Sequence, residues 1–466
     1  MAWSIGEIVA ATEGKALKLG RSGVFKEVVT DSSKVVRGSV FLALKGQRHD
    51  GHRFIGDAVR RGARCIIVHR DAPRWGLKNV TVIRVKDTLR ALGDMAHYRR
   101  QKFAPSVLAL TGSNGKTTTK EMVAAILETA FQDGKPLRGK VLKTEGNFNN
   151  LVGVPLTLLR LRRRHRVAVL ELGTSYPGEI QRLAQIADPD MGMITSVAAA
   201  HLEGLRSLAG VAREKGALFR QMRSAGTVAV NLDDPRVRRL GAKFTGRKIA
   251  YGKGGEVAAE SWRFIGPRGT AFTLKVGRKR CKVRLKFLGE HHIANAVGAA
   301  ALAHGFGVSL AAIRRGLEKV RPFSMRMEVS GWRGLGIIND AYNANPASMT
   351  AAVQTLAAVH CRGERIAVLG DMFELGRESE KQHRGLGEAV AKAHLDRLYL
   401  LGGQARHVRA GALRGGMATQ RITIGTDHGD IARRLKRHTK KGDWLLFKGS
   451  RGMKMEKVLE KFKGGR

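Results

Sequence analysis

Apolar positions in this chain fall into short runs, and most runs are followed within a few residues by a segment of helical periodicity. In the first hundred residues, 35–44, 65–68 and 80–85 read as strands and 58–62 closes a helix. A helical pattern over 87–103 stops before Pro105, because proline disfavours helix in the residue ahead of it. A boundary there gives a first domain of 1–104. The next strand, 107–111, leads through a glycine-containing loop into a helix over 116–130. Runs at 167–172, 191–197 and 227–231 repeat the strand reading, and helices over 291–306 and 310–320 close a second domain of 105–320. Residues 257–288, rich in β-branched and basic positions, read as an antiparallel insertion. From 321 to 466, strands at 336–339, 365–369, 397–401, 422–424 and 444–447 alternate with helices and predict a smaller dinucleotide-fold-like sheet.

This alternation predicts an α/β chain with mostly parallel sheets covered on both faces. The expected architecture is a central P-loop ATPase-like domain between a small N-terminal α/β domain and a C-terminal Rossmann-like one. A length of 466 residues agrees with about three domains. No internal repeat of fixed short period appears.

Composition narrows the class. Hydrophobic residues make up 43% and aromatics only 6%, as in a soluble, aliphatic-cored protein. The N-terminal residues lack a basic start followed by an apolar stretch, so no secretory signal is expected. No run approaches the roughly 18 apolar residues that span a bilayer. Cys65, Cys281 and Cys361 are far apart and read as reduced thiols, consistent with a cytoplasmic location. Lys and Arg number 84 against 39 Asp and Glu, for a net +45. Such a surplus attracts polyanions. Here it is dispersed, and the five Trp and five Tyr are scattered. It therefore reads as a solvated surface character, with help in collecting polyanionic substrates as the alternative. A basic nucleic-acid-dependent ATPase, the distant alternative, needs a clustered basic face with stacking aromatics.

The sharpest local feature is Thr111-Gly112-Ser113-Asn114-Gly115-Lys116-Thr117-Thr118 between strand and helix. Gly112 and Gly115 let the backbone approach phosphates, and the helix start offers unpaired N–H groups and a positive dipole end. Lys116 suits the β/γ-phosphates and the Thr117 hydroxyl suits Mg2+. The loop is shorter than the general phosphate loop, whose first glycine would fall at Leu110. Glu171 closes the strand 167–172, at the sheet edge where open α/β sheets bind ligands, and its carboxylate suits a hard cation; the alternative is a helix cap. His201, just past the strand 191–197, reads as a metal contact or a structural histidine. By residue type alone, Lys215 is one more surface lysine on a helix.

The loop resembles the ATP loop of the Mur ligase family and of its folylpolyglutamate synthetase relatives, and the resemblance extends over nearly the whole chain. It implies ATP-dependent amide-bond formation, with Lys116, Glu171, His201 and Lys215 as catalytic residues. Lys215 matches a lysine that the family carries as a carbamate, and with Thr117, Glu171 and His201 it would hold Mg2+, two ions being implied. Gly112 through Thr118, Asn295, Arg326 and Asp340 would bind ATP, with Asn295 on the adenine side. Four positions depart from the family pattern: Ser33 replaces an arginine, Ala217 an acidic residue, His292 an asparagine and Met325 a glycine.

Four segments resemble the branch that adds D-alanyl-D-alanine: Gly146-Asn-Phe-Asn-Asn150, Ala341-Tyr-Asn-Ala-Asn-Pro346, Gly370-Asp-Met-Phe-Glu-Leu-Gly376 and Lys448-Gly-Ser-Arg451. The implied substrates are UDP-N-acetylmuramoyl-tripeptide and D-alanyl-D-alanine, contacted by Asn147, Asn150, Asn343, Asn345, Lys448 and Arg451. Residues 30–34 and 41–52 resemble the family's UDP-binding module, with Ser32 and Lys45 as contacts. For the asparagines the residue-level alternative is a set of Asx turns, and for Lys448 and Arg451 a solvated loop. A monomer without membrane insertion or nucleic-acid partner is implied, and another amide ligase of the family or its relatives is the nearest alternative.

Overall fold

The computed structural model describes residues 2–46, 49–70, 78–266 and 269–464. The first region is a five-stranded sheet of β1 (Lys15–Lys18), β2 (Val28–Val29), β3 (Val40–Leu42), β4 (Cys65–Val68) and β5 (Thr81–Arg84), in the order β1-β5-β4-β3-β2. Side chains alternate across it, with Val40, Leu42, Cys65 and Ile67 on one face and Phe41, Ile66 and Val68 on the other. The strand expected over 35–44 shrinks to Val40–Leu42. Gly38, at φ +91°, turns the chain just before it.

Helix α1 (Thr88–Phe103) is capped by the Asp87 side chain and ends at Ala104 in the left-handed conformation ahead of Pro105. It joins the first region to the next. Leu92 and Met95 pack in the first core, and Ala96 packs in the core of the central sheet. Arg100 donates to the carbonyls of Ala187 and Asp188.

The central region contains β6 (Ser106–Thr111), α2 (Lys116–Leu127), β7 (Val141–Lys143), β8 (Val167–Glu171), β9 (Met191–Ile194), α3 (Leu208–Gln221), β10 (Thr227–Asn231) and β11 (Arg247–Tyr251). Then come β12 (Val257–Phe264), β13 (Thr270–Val276), β14 (Lys279–Leu285), α4 (Glu290–Gly305) and α5 (Leu310–Lys319). Nine strands form one sheet in the order β7-β8-β6-β9-β10-β11-β12-β13-β14. β6 to β11 are parallel, and the antiparallel β12–β14 extend the same sheet through a Tyr251–Val257 pairing. The expected insertion is therefore the sheet's own far edge. Leu108 and Leu110 of β6 face a core shared with α2, α4 and α5, while Val107 and Ala109 face one shared with α1 and α3. Burying a side chain such as Ile293 or Leu302 of α4 contributes roughly 1.5–3 kcal/mol.

The third region holds β15 (Glu328–Trp332), β16 (Leu335–Asp340), α6 (Pro346–Ala357), β17 (Arg365–Gly370), β18 (Arg397–Leu401), β19 (Ile422–Ile424) and β20 (Trp444–Lys448). Its sheet runs β15-β16-β20-β17-β18-β19, parallel except for the β15–β16 hairpin. The order reverses around β20, which makes its carboxyl end a natural crevice. Among the described residues no helix is long and apolar enough to cross a membrane.

Candidate active site

The carboxyl ends of β6, β8 and β9 and those of β16 and β20 face one cavity of ≈ 750 Å³. Its floor is the loop after β6. Gly112 sits at φ +153°, where a Cβ would lie 1.8 Å from Thr195 Oγ1. Gly115 sits at φ +78°, where a Cβ would lie 2.1 Å from Asn295 Oδ1. Only glycine fits at either position. The loop is tied down by Thr195 Oγ1 donating to the Asn114 carbonyl (2.6 Å) and Ser113 Oγ donating to the Ala198 carbonyl (2.9 Å). Gly115 precedes α2 and has no side chain to cap it, so the first N–H groups of the helix remain open to an anion. Thr117 and Thr118 line the cavity there.

Lys116 folds back and donates from Nζ to the Gly112 carbonyl (2.7 Å). Burial pushes its ammonium below the ordinary lysine range; Glu171 opposes that shift and Arg326 adds to it. A half-buried cation held only by carbonyls lacks a full anionic partner, which a polyphosphate supplies.

Glu171, the last residue of β8, is 2% exposed. Its Oε1 accepts from Asn149 Nδ2 (2.9 Å), and its backbone N–H donates to Thr144 Oγ1 (3.0 Å). Its Oε2 is buried with no partner. The carboxylate caps no helix, since the next one begins after Gly178. An orphaned buried carboxylate oxygen beside a phosphate loop fits a hard cation. Behind it, Lys120 is fully buried, donates to the Thr144 carbonyl (2.7 Å) and pairs with Glu121 (2.8 Å). Asn149 lies in the expected 146–150 segment but outside its expected contacts, and Thr144 and Lys120 were not singled out from sequence. Thr144 meets Glu171 because β7 pairs with β8, while Lys120 of α2 reaches the Thr144 carbonyl.

Lys215 is no surface lysine: it is 1% exposed on the inner face of α3. Burial drives its ammonium well below the ordinary range, Lys116 adds to the effect, and Glu214 opposes it. The Glu214 carboxylate is occupied by the Gly178 and Ile180 N–H groups and the Thr174 hydroxyl. His201 lines the cavity with φ +54°, and its Nδ1 lies 2.5 Å from Glu374 Oε2 of the third region. That hydrogen bond holds the Glu374 carboxyl below its usual range. Among the described residues, no group of three or more His, Cys, Asp or Glu is placed to hold a metal.

From the third region, Asp340 ends β16 and Lys448 ends β20. Lys448 is 2% exposed and donates from Nζ to Asp340 Oδ2 (2.5 Å) and the Asn343 carbonyl (3.0 Å). It is no solvated loop residue, and its charge is already paired. Asp340 Oδ1 also accepts from the Met327 N–H (3.0 Å). Arg326 stacks its guanidinium 3.9 Å from the Tyr342 ring centroid. Asn345 caps α6 reciprocally with Ser348, and its Nδ2 reaches across to Asn114 Oδ1 (2.8 Å). Asn295 and His292 line the α4 side of the cavity. His292 is buried with both ring nitrogens unpartnered, and burial keeps it neutral. Met325, in the expected glycine position, takes the left-handed conformation at φ +58°.

Asn147 and Asn150 line the cavity too, and Asn150 accepts from the Val152 and Gly153 N–H groups in an Asx turn. Five expected site residues lie outside its lining: Gly112, Lys215, Ser32, Lys45 and Arg451. Ser32 opens a 3-10 turn in the first region, Lys45 is exposed there, and Arg451 pairs with Glu456 (2.8 Å).

Three family models match the chain: Mur ligase family, catalytic domain (24–100), Mur ligase middle domain (110–303) and Mur ligase, glutamate ligase domain (325–451). UDP-N-acetylmuramoyl-tripeptide–D-alanyl-D-alanine ligase of Escherichia coli (strain K12) is 37% identical over 93% of this chain and 92% of its own. A crystal structure of MurF from Acinetobacter baumannii superposes with a TM-score of 0.90 at 33% identity over 99% of both chains. MurF ligase from Thermotoga maritima, crystallised in complex with ADP, gives 0.83 at 29% identity over 94% of this chain and 97% of that one. With models matched in all three of its sheet regions and a relative spanning more than nine-tenths of its length, the chain belongs to the Mur ligase family.

Proposed function

We propose that this protein joins D-alanyl-D-alanine to UDP-N-acetylmuramoyl-tripeptide at the expense of ATP, a cytoplasmic step in making peptidoglycan precursors. The observation that carries this reading is the near-full-length likeness to a ligase of that name, together with an ATP-loop cavity closed by a second sheet. A terminal carboxylate oxygen of the tripeptide attacks the γ-phosphorus of ATP, and ADP leaves. The amine of D-alanyl-D-alanine then attacks the acyl phosphate carbon. The tetrahedral adduct collapses with loss of inorganic phosphate and of the amine proton.

The chain's own residues meet the electrostatic demand of the first step. Lys116 and the open N–H groups of α2 take the charge growing on the transferring phosphoryl group. Glu171, Thr117, His201 and Lys215 would hold Mg2+, which when bound neutralises the phosphate oxygens. Glu171 supports that assignment with its unpartnered buried oxygen. Lys215 supports it as a buried amine whose hold on its proton burial weakens, which favours the free amine that adds to CO2 and gives up a proton to become a carbamate. Asn295, Arg326 and Asp340 face the nucleotide, while Asn147, Asn150, Asn343 and Asn345 face the peptide end. Ser32 and Lys45 hold the UDP end, and Lys448 and Arg451 border the far side. The working units are 1–104, 105–320 and 321–466, in a monomer.

Phosphate release by the purified protein, with each substrate omitted in turn, tests the reading. Release that needs ATP, the UDP-tripeptide and D-alanyl-D-alanine, with the pentapeptide product seen by mass, is expected. Release with a single amino acid would move the chain to another amide ligase, and release stimulated only by nucleic acid would overturn the assignment.

A further inference from the structure

Nothing in the reaction above uses Glu374, yet its placement is specific. It follows β17 in a loop fixed to the third region: the Met372 N–H donates to His383 Nε2 (2.9 Å) and the Phe373 N–H to Ser450 Oγ (2.8 Å). From that anchor it makes two contacts with the central region. Its Oε2 meets His201 Nδ1 at 2.5 Å, and its carbonyl accepts the Glu203 N–H at 3.2 Å. Both partners sit in the left-handed region without being glycine, His201 at φ +54° and Glu374 at φ +62°. Each such residue costs about 1–2 kcal/mol, and such strain persists only where the surroundings over-determine it. The Glu374 side chain is 53% exposed, so the ion pair alone would be weak. The backbone bond beside it gives the pair its geometry.

An ionised carboxylate can only accept, so the His201 nitrogen facing it must carry the proton. In the neutral ring that puts the hydrogen on Nδ1 and the lone pair on Nε2, and His201 lines the cavity. We propose that Glu374 is a positioning residue which, from the third region, sets the tautomer and ring orientation of His201. The metal-facing part of the central region is then complete only while the two sheets are docked. This rests on the proposed ligase reading for its kinetic consequence, though not for the tautomer itself.

The test uses the full chain labelled with 15N-histidine, with His201 assigned by loss of its signals in His201→Gln. Long-range 1H–15N spectra of the ligand-free wild type should show the Nδ1–H tautomer, and Glu374→Gln, whose amide oxygen still accepts, should keep it. Glu374→Ala should move His201 toward the Nε2–H form preferred by a free imidazole. In the ligase assay Glu374→Ala should lower kcat by about 10–100-fold without a matching rise in KM, and Glu374→Gln should recover part of that loss. An Nε2–H tautomer in the wild type, an unchanged tautomer in Glu374→Ala, or a defect confined to KM would each overturn the proposal. A wild type that shows the Nδ1–H tautomer but no ligation would overturn the assigned reaction and leave the role of Glu374 toward His201 standing.

Discussion

The two faces of the cavity are built on opposite plans. The central face is unfinished: Glu171 Oε2 and both ring nitrogens of His292 are buried without partners, and Lys116 rests on carbonyls. The third face is self-satisfied, with Lys448 on Asp340 and the Asn343 carbonyl, Arg326 over Tyr342, and Asn345 capping its own helix. A buried polar group left unmade costs about 1–3 kcal/mol. The central face therefore gains most from a ligand, while the third face is a preassembled part that arrives whole. Removing a group from the first should cost activity more than stability, and removing one from the second should do the reverse.

Lys116→Ala is the strongest way to break this contrast. It removes the cation nearest the phosphates and should lower kcat/KM by at least about 10²–10³-fold, the loss typical of one preorganised donor. The urea midpoint should hold or rise, because a desolvated ammonium disappears with it. A variant of wild-type activity would end the phosphate-loop assignment, and a collapsed midpoint would place Lys116 among the structural residues.

Lys215→Ala comes next. Burial lowers this amine's hold on its proton, which favours carbamate formation, so the wild type should carry a mass increment matching CO2 addition under bicarbonate. The variant should be largely inactive and partly rescued by short carboxylic acids, which restore an anion in the same space. Wild-type rates without added acid would exclude the carbamate.

How much of this was readable in the chain follows the same division. The phosphate loop is contiguous, so its chemistry is spelled in eight neighbouring residues, and Glu171 is marked by its strand end. Lys215 looked like surface until α3 packed it inward. The pairs Lys448–Asp340 and His201–Glu374 join residues far apart in sequence, and no local pattern announces them. Strand β11, Arg247–Tyr251, escaped notice because it opens on two exposed basic residues, which blurs its apolar positions. The expected UDP contacts Ser32 and Lys45 belong to loops of the first region, outside the cavity's lining.

On the third face, Lys448→Met should destabilise by about 3–5 kcal/mol, since removing one partner of a buried pair leaves the other charge uncompensated. Adding Asp340→Asn should recover part of that loss. A double variant as unstable as the sum of the singles would mean the two charges do not act as a pair.

The smallest expected effect tests whether the third face is as settled as it looks. Met325 and Met327 flank Arg326, and both hold positive φ, +58° and +51°. A left-handed non-glycine residue costs about 1–2 kcal/mol, and glycine's extra freedom in the unfolded chain returns roughly 0.5–1 kcal/mol of disadvantage. At Met325 the backbone bonds survive substitution: its N–H to Glu328 and its carbonyl from the Tyr342 N–H. The side chain contributes only a weak contact from Arg451 to its sulfur, at 3.6 Å. Met325→Gly should therefore be neutral to stabilising by up to about 1 kcal/mol. At Met327 the same strain is relieved, but a side chain 2% exposed in the third core is lost, so Met327→Gly should cost at least about 2 kcal/mol. Urea denaturation of the two variants separates strain from packing. If Met325→Gly proves clearly destabilising, the side chain is helping to hold Arg326 over Tyr342, and the loop is a tuned part of the face instead of a tolerated strain.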